Sequence, residues 1–229
     1  VKQPHQHTPF FWDILKESKI ENILIDLLGK DISLKTSKLN TKAPGGGAAV
    51  EWHQDWAFYP HTNDNVLALG LMINDVDLDN GPLMVIPKSH KGPVLSHNNN
   101  GVFCGAIDPN DKNFDISKAV TLTGKARSMT IHHARTLHGS APNNSNKDRL
   151  MLFYECNSAD AWPLVGVGAY LNNTNPIDLC NQMERQMLCG NVSYQPRMES
   201  VPVVLPLPPA PDYGSIFTTQ KTGGAKSAF

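Results

Sequence analysis

Residues 20–28 carry a helical signature, because Ile20, Ile23, Leu24, Leu27 and Leu28 recur at three- and four-residue intervals and share one face. Ser18 and Glu21 stand at capping-box spacing ahead of this run, and Gly29 supplies the stop. A shorter helix is expected over 10–16, where Thr8 can cap and Pro9 suits the first turn. After residue 32 the pattern changes to short strand-like runs at 32–39, 48–52, 66–73, 83–86, 128–133 and 150–155. Turn-rich stretches such as Ala43-Pro44-Gly45-Gly46-Gly47 and Asp79-Asn80-Gly81-Pro82 separate them. Many short strands with such turns predict a barrel or a double-sheet jelly roll. The polar, Asn-rich stretch 96–115 predicts a long loop over the mouth of that barrel. Five prolines between 201 and 212 predict an extended tail across the surface or against a second copy of the chain, as in a homodimer.

The expected architecture is mainly β with flanking helices, as one domain over 1–229: N-terminal helices at 9–28, a β core over about 32–160 and an extended arm over about 199–229. A chain of 229 residues with 40% hydrophobic content can bury one sizeable core. Twenty basic against 21 acidic residues, formal charge −1, leave no strong field to gather nucleic acid or an anionic membrane surface. No apolar run nears the roughly 18 residues of a membrane span, so the expected partner is a small molecule, with no nucleic acid and no membrane. Cys104, Cys156, Cys180 and Cys189 form no CxxC pair, which points to free thiols in a reducing compartment and hence to the cytoplasm. The chain opens at Val1 without a methionine, so further sequence can precede it.

His53-Gln54-Asp55 offers two metal-ligating side chains at i and i+2, which leave the same face of an extended strand. A third candidate stands in Leu137-His138-Gly139-Ser140, and two histidines with one carboxylate form the facial triad of non-haem Fe(II) oxygenases. An HxD triplet alone is weak evidence, and its context decides. Eleven positions after His138, Arg149 opens a strand-like run, and a guanidinium fork matches a distal carboxylate. Ser140 could lie beside it as a hydroxyl donor.

With these residues in view, the chain resembles the phytanoyl-CoA dioxygenase family over nearly its whole length. The likeness rests on Ser37-Lys38-Leu39-Asn40, Glu51-Trp52-His53-Gln54-Asp55-Trp56, Asn80-Gly81-Pro82-Leu83, Pro87-Lys88-Ser89-His90-Lys91-Gly92, His138-Gly139-Ser140-Ala141-Pro142-Asn143 and Arg149. The resemblance implies a double-stranded β-helix, the cupin-like jelly roll, with Fe(II) on His53, Asp55 and His138. It also implies 2-oxoglutarate contacts from Asn40, Gln54, Ser140 and Arg149, and O₂-dependent hydroxylation of an aliphatic C–H with release of succinate and CO₂. Desaturation or oxidative cyclisation of a secondary metabolite is the same chemistry with another outcome. Related halogenases lack the carboxylate ligand, and Asp55 is present. A non-catalytic cupin-like binding protein is the rival from another class. Three departures stand out: Leu69-Gly70-Leu71-Met72 lacks a tryptophan found in some members, Lys88 replaces a frequent glycine, and Ala126-Arg127-Ser128 stands where many have Ala-Gly-Asp.

Lys38, Trp56 and Tyr59 are candidates for substrate contact, with Phe58 beside them, against the plainer readings of a solvated lysine and core aromatics. His132 and His133 are expected to be hydrogen-bonded structural residues, and His61 and His90 surface or loop anchors. Asp75, Asp77 and Asp79 lack the glycine and closing glutamate of a calcium loop and read as a solvated turn.

Overall fold

The computed structural model describes residues 1–16, 19–165, 176–204, 207 and 215–229. Three helices open the chain: α1 (Pro4–His7), α2 (Phe10–Lys16) and α3 (Ile20–Leu28). Eleven strands follow among the described residues: β1 (Ile32–Lys42), β2 (Val50–His53), β3 (Val66–Met72), β4 (Leu83–Val85), β5 (Asn98–Asn99), β6 (Val102–Phe103), β7 (Val120–Leu122), β8 (Met129–His133), β9 (His138–Ser140), β10 (Arg149–Ser158) and β11 (Met187–Cys189). Helices α4 (Pro176–Arg185) and α5 (Ile216–Thr222) complete the set. The strands form a five-stranded sheet in the order β11-β1-β10-β3-β8 and a four-stranded sheet in the order β2-β9-β4-β7, and β5 pairs with β6. This is the jelly roll expected from the strand pattern.

Alternation along the larger sheet builds the molecule. Successive side chains of a strand leave opposite faces, and here one set is apolar. Leu152, Tyr154 and Cys156 of β10 join Leu67 and Leu69 of β3 and Ile32 and Leu34 of β1 in a core with Leu15, Leu24 and Leu28 of the helices. Fully burying one such leucine is worth about 1.5–3 kcal/mol, so this layer fastens α2 and α3 to the sheet. The alternate residues Arg149, Met151, Phe153 and Glu155 instead line a cavity between the two sheets.

Several details depart from the sequence reading. Ile23 and Leu27 are exposed, because the face that packs runs through Leu24 and Leu28 with Ile20 and Ile25 at its edges. Ser18 lies outside the described residues. Gly29 ends α3 at a positive φ of 89°, as a C-cap glycine does. The stretch 96–115 forms the short β5–β6 hairpin and seals the far face of the smaller sheet, where Ile107 and Phe114 pack with Trp52. The β core extends past residue 160, since β11 pairs with β1. The C-terminal arm is not extended throughout: α5 docks on β2, and Phe229 stacks on Trp52 with ring centroids 6.2 Å apart. Residues 205–206 and 208–214 of the proline-rich tail lie outside the described residues.

Two of the departures from glycine fall on left-handed backbone, Lys88 at φ 68° and Arg127 at φ 74°. A side chain there clashes with the backbone, at about 1–2 kcal/mol, while a glycine pays roughly 0.5–1 kcal/mol in unfolded-state entropy. Arg127 is exposed. Arg127→Gly should therefore raise stability by about 0.5–1 kcal/mol, read as an increased urea midpoint at constant m-value.

Candidate metal and co-substrate site

The cavity between the sheets has a volume of about 300 Å³ and is lined by residues from both, including His53, Asp55, His132, His138, Ser140 and Arg149. Strand β2 ends at His53, yet Gln54 keeps an extended backbone (φ −121°, ψ 125°) before a 3-10 turn at Asp55–Ala57. One extended residue between them turns His53 and Asp55 to the same side, as the i, i+2 spacing predicts. His138 opens β9 directly across from His53 in the sheet register, and the two rings lie 4.1 Å apart. Asp55 Oδ1 lies 3.6 Å from His53 Nε2 and 3.8 Å from His138 Nε2.

Backbone carbonyls fix both imidazoles. Nδ1 of His53 donates to Glu51 O at 2.8 Å, and Nδ1 of His138 donates to Thr136 O at 2.9 Å. A carbonyl only accepts, so each Nε2 presents its lone pair to the centre, as in metal-ligating histidines. Burial and the neighbouring His53 hold His138 well below the usual histidine range, which keeps it neutral. Burial alone would raise Asp55, but the charge of His138 and the imidazoles of His132 and His53 beside it outweigh burial and hold the carboxyl well below its usual range. The three ligand atoms lie within 4.8 Å of one another. Two imidazoles around an ionised carboxylate suit Fe(II).

Arg149 lies at one end of the cavity, 2% exposed, with Nε and Nη1 lacking any hydrogen-bond partner. Burial lowers its pKa to about 10, still cationic at neutral pH. Lys42 stands opposite it in the β1–β10 register, and its ammonium donates to Ser140 O and Ala141 O. Burial, with Arg149 adding repulsion, pushes Lys42 down to about 7. Asn40 Oδ1 is likewise buried and unpartnered. Ser140 and Asn40 line the same cavity.

Gln54 is corrected by the structure. Its amide donates to Pro93 O and Arg135 O and accepts from Leu95 N, so it clamps loops outside the cavity. Trp56 also turns away: it is buried in the core with Val66 and Ala134 and donates to Pro202 O at 2.7 Å. Lys38, Phe58 and Tyr59 do line the cavity. His61 is fully buried rather than superficial, donating to Tyr59 O at 2.7 Å, and burial drives its pKa to about 3. His133 makes the expected structural contacts with Arg135 N and Asp64. His132 does not: neither of its ring nitrogens has a hydrogen-bond partner. Asp75, Asp77 and Asp79 are exposed, as expected of a solvated turn.

Five contributors were not singled out in the sequence. Lys42 and Glu155 continue the alternation of Asn40 and Arg149, which was the available signal. His97 accepts from Gln54 N at 2.8 Å, fixing the peptide between His53 and Asp55, and Ile216 and Thr219 of α5 reach the cavity from the C-terminus. Neither has a signal in local spacing.

A jelly roll that brings two imidazoles and a carboxylate together in one cavity with a buried cation has the architecture of the Fe(II)- and 2-oxoglutarate-dependent oxygenases. The chain belongs to the phytanoyl-CoA dioxygenase family, whose model matches residues 1–151. It is 40% identical over 225 residues to a Stutzerimonas stutzeri protein described as "Probable alpha-ketoglutarate-dependent hypophosphite dioxygenase", covering 96% of this chain and 75% of that one. An ectoine dioxygenase of Bordetella bronchiseptica is 24% identical, covering 68% of this chain and 56% of its own length. Thus the chain spans little more than half of the ectoine enzyme. Among solved structures, the epimerase SnoN in complex with Fe3+, alpha ketoglutarate and nogalamycin RO superposes with a TM-score of 0.63 at 19% identity, covering 89% of this chain and 74% of that one. The carbocyclase SnoK from nogalamycin biosynthesis gives 0.62 at 21% identity, covering 77% and 70%. At these identities the superpositions speak for the fold alone.

Asp55→Ala removes the one carboxylate of the candidate triad, the charge that would balance Fe(II). Iron content after gel filtration should fall to a small fraction of the wild-type value; full retention would remove Asp55 from the ligand set.

Glu155 offers a pH test. Burial raises its carboxyl from the usual 4.5 to about 8, against the opposing pull of Lys35 and the Tyr59 hydrogen bond and with added repulsion from Asp55. Its folded form holds the proton more tightly than the unfolded chain, so its contribution to stability is present below about 4.5 and is lost as pH rises towards about 8. Glu155→Gln keeps the neutral shape. The variant should gain stability relative to wild type between pH 5 and pH 8.5, measured by urea unfolding at both; a constant difference contradicts the assignment.

Proposed function

We propose that His53, Asp55 and His138 hold Fe(II), that Arg149 receives the distal carboxylate of 2-oxoglutarate, and that the enzyme hydroxylates a small molecule. The observation that carries this reading is the buried, unpartnered Arg149 guanidinium in the same cavity as the triad. A buried cation without an anion is costly, and a carboxylate supplied by a co-substrate removes that cost. Bound Fe(II) supplies the activation of O₂. The overall reaction takes substrate–H, 2-oxoglutarate and O₂ to substrate–OH, succinate and CO₂. The chain's own part is positioning: Arg149 and Ser140 orient the 2-oxo acid, Asn40 offers an amide beside it, and Leu83, Met151 and Phe153 keep the chamber apolar elsewhere. An aliphatic C–H is the first target. A P–H bond is the second, favoured by the 40% identity to the protein described as a hypophosphite dioxygenase.

Among the described residues no helix is long and apolar enough to cross a membrane. The four cysteines are free thiols, which supports a cytoplasmic setting.

A side chain that binds the co-substrate should govern its affinity and leave the metal untouched. Losing one partner of a buried ion pair costs about 3–5 kcal/mol, so Arg149→Leu should weaken 2-oxoglutarate binding by about a hundredfold or more. Arg149→Lys should restore part of the loss, since it keeps the charge without the fork. Anaerobic titration of the Fe(II)-loaded protein, followed by its charge-transfer absorption, reads the dissociation constant. Admitting oxygen and measuring succinate then separates an oxygenase from an inert cupin-like binder, which forms none above a metal-free control.

A further inference from the structure

The two ends of the cavity differ in chemistry, and the strand register shows how. Lys42 and Arg149 face each other across β1 and β10, and Asn40 pairs with Met151 one step further in. Next come Lys38, Phe153, Gly70 and Thr130, in register across β1, β10, β3 and β8. The last row is Thr36, Glu155, Ala68 and His132, and all four of these residues line the cavity. Glu155 is six residues from Arg149, roughly 20 Å along an extended strand, so this row is remote from the co-substrate's carboxylate. It is close to the metal ligands: His132 Nε2 lies 3.8 Å from Asp55 Oδ2.

Ala68 pairs with Glu155 on one side and His132 on the other. Paired Cα atoms lie about 4.5–5.5 Å apart, so the two polar residues stand roughly 10 Å apart across a single methyl group. Both are 8% exposed. Glu155 Oε1 and both nitrogens of His132 are buried without a hydrogen-bond partner. Such groups call for a partner.

We propose that Ala68, Glu155 and His132 form the cradle of the primary substrate, and that it selects a compact oxyanion of single negative charge. The inference rests on the metal and co-substrate reading above and deepens it by naming the substrate class. The Glu155 carboxyl, kept protonated by burial, donates to a substrate oxygen where a carboxylate would repel it. Tyr59, which hydrogen-bonds Glu155, and the half-buried ammonium of Lys38 border the same space. An apolar substrate would leave these polar atoms unpaired, and a bulky one would strike the row on either side of Ala68. A phosphorus oxyanion bearing hydrogen and a short carboxylate share the required chemistry.

The test uses hypophosphite, formate and L-proline as probes, each titrated anaerobically into protein loaded with Fe(II) and 2-oxoglutarate. Perturbation of the charge-transfer band reads binding, and the ³¹P linewidth of hypophosphite with metal-free protein gives a second reading independent of the iron. At least one of the two anions should bind more tightly than L-proline, hypophosphite marking a phosphorus oxyanion and formate a carboxylate. Ala68→Leu and Glu155→Ala should each weaken anion binding by about tenfold or more. Ala68→Ser, which preserves the gap, should retain it, and 2-oxoglutarate affinity should stay near wild type in all three. Unchanged anion binding in Ala68→Leu overturns the cradle, and so does tighter binding of L-proline than of either anion. Absence of the charge-transfer band in wild type sinks the co-substrate reading instead; hypophosphite broadening that Ala68→Leu abolishes would still support the cradle.

Discussion

The site depends on one asymmetry: the larger sheet is apolar on its outer face and carries its buried charged and polar groups on its inner one. The outer residues of β1, β3 and β10 meet α2 and α3 in a close-packed layer, and a one-residue slip in any strand would exchange the two faces. That constraint fixes the register. Once it holds, Arg149 and Glu155 point inward from the same strand that buries Leu152, Tyr154 and Cys156 outward. The ordering of the cavity from cationic end to cradle is thus a by-product of hydrophobic packing on the opposite side. The smaller sheet contributes the histidines through a single cross-strand pair, His53 with His138.

The inner face is expensive for folding. Arg149, Lys42, Glu155 and His132 are all buried, and atoms of Arg149, Glu155 and His132 lack protein partners. Desolvated groups of this kind lower stability unless something binds them, so ligand binding and folding are coupled through the same atoms. Replacing them with packed apolar residues would favour the fold at the expense of the site, the usual conflict between stability and activity. The outer layer must therefore supply a surplus, and its run of fully buried leucines is suited to that.

The fold was legible because strands announce themselves through alternation and turns through glycine and proline. All six predicted strand runs correspond to strands, with boundaries shifted by one to three residues. The triad was legible because a strand with two-residue period makes HxD a geometric statement. What escaped was set by tertiary contacts. Ile23 and Leu27 satisfy the helical period but lie beyond the part of α3 that the sheet covers. Gln54 sits between two ligands and resembles a co-substrate contact, yet its amide is taken by Pro93, Leu95 and Arg135, residues far off in sequence. His132 and His133 are adjacent and look alike, but alternation sends one into the cavity and the other to Asp64.

The C-terminal segment shows the same limit from the other direction. Its prolines predicted an extended tail across the surface or against a second copy, whereas α5, beyond those prolines, packs on the strand that carries His53. Gln220 is 5% exposed; its amide donates to Glu51 O and Gly105 O and accepts from Glu51 N. Glu51 in turn accepts from Ser227 and from the Ala228 backbone, and Lys226 pairs with Asp108. These bonds satisfy the free edge of β2, which would otherwise present unpaired backbone groups. They also bring Ile216 and Thr219 to the cavity wall. The closing element thus arises from an edge strand needing a partner, and in that strand Glu51 is followed by Trp52 and then by the candidate ligand His53. A segment more than 160 residues downstream therefore shapes both the chamber and the strand that carries His53 of the candidate triad.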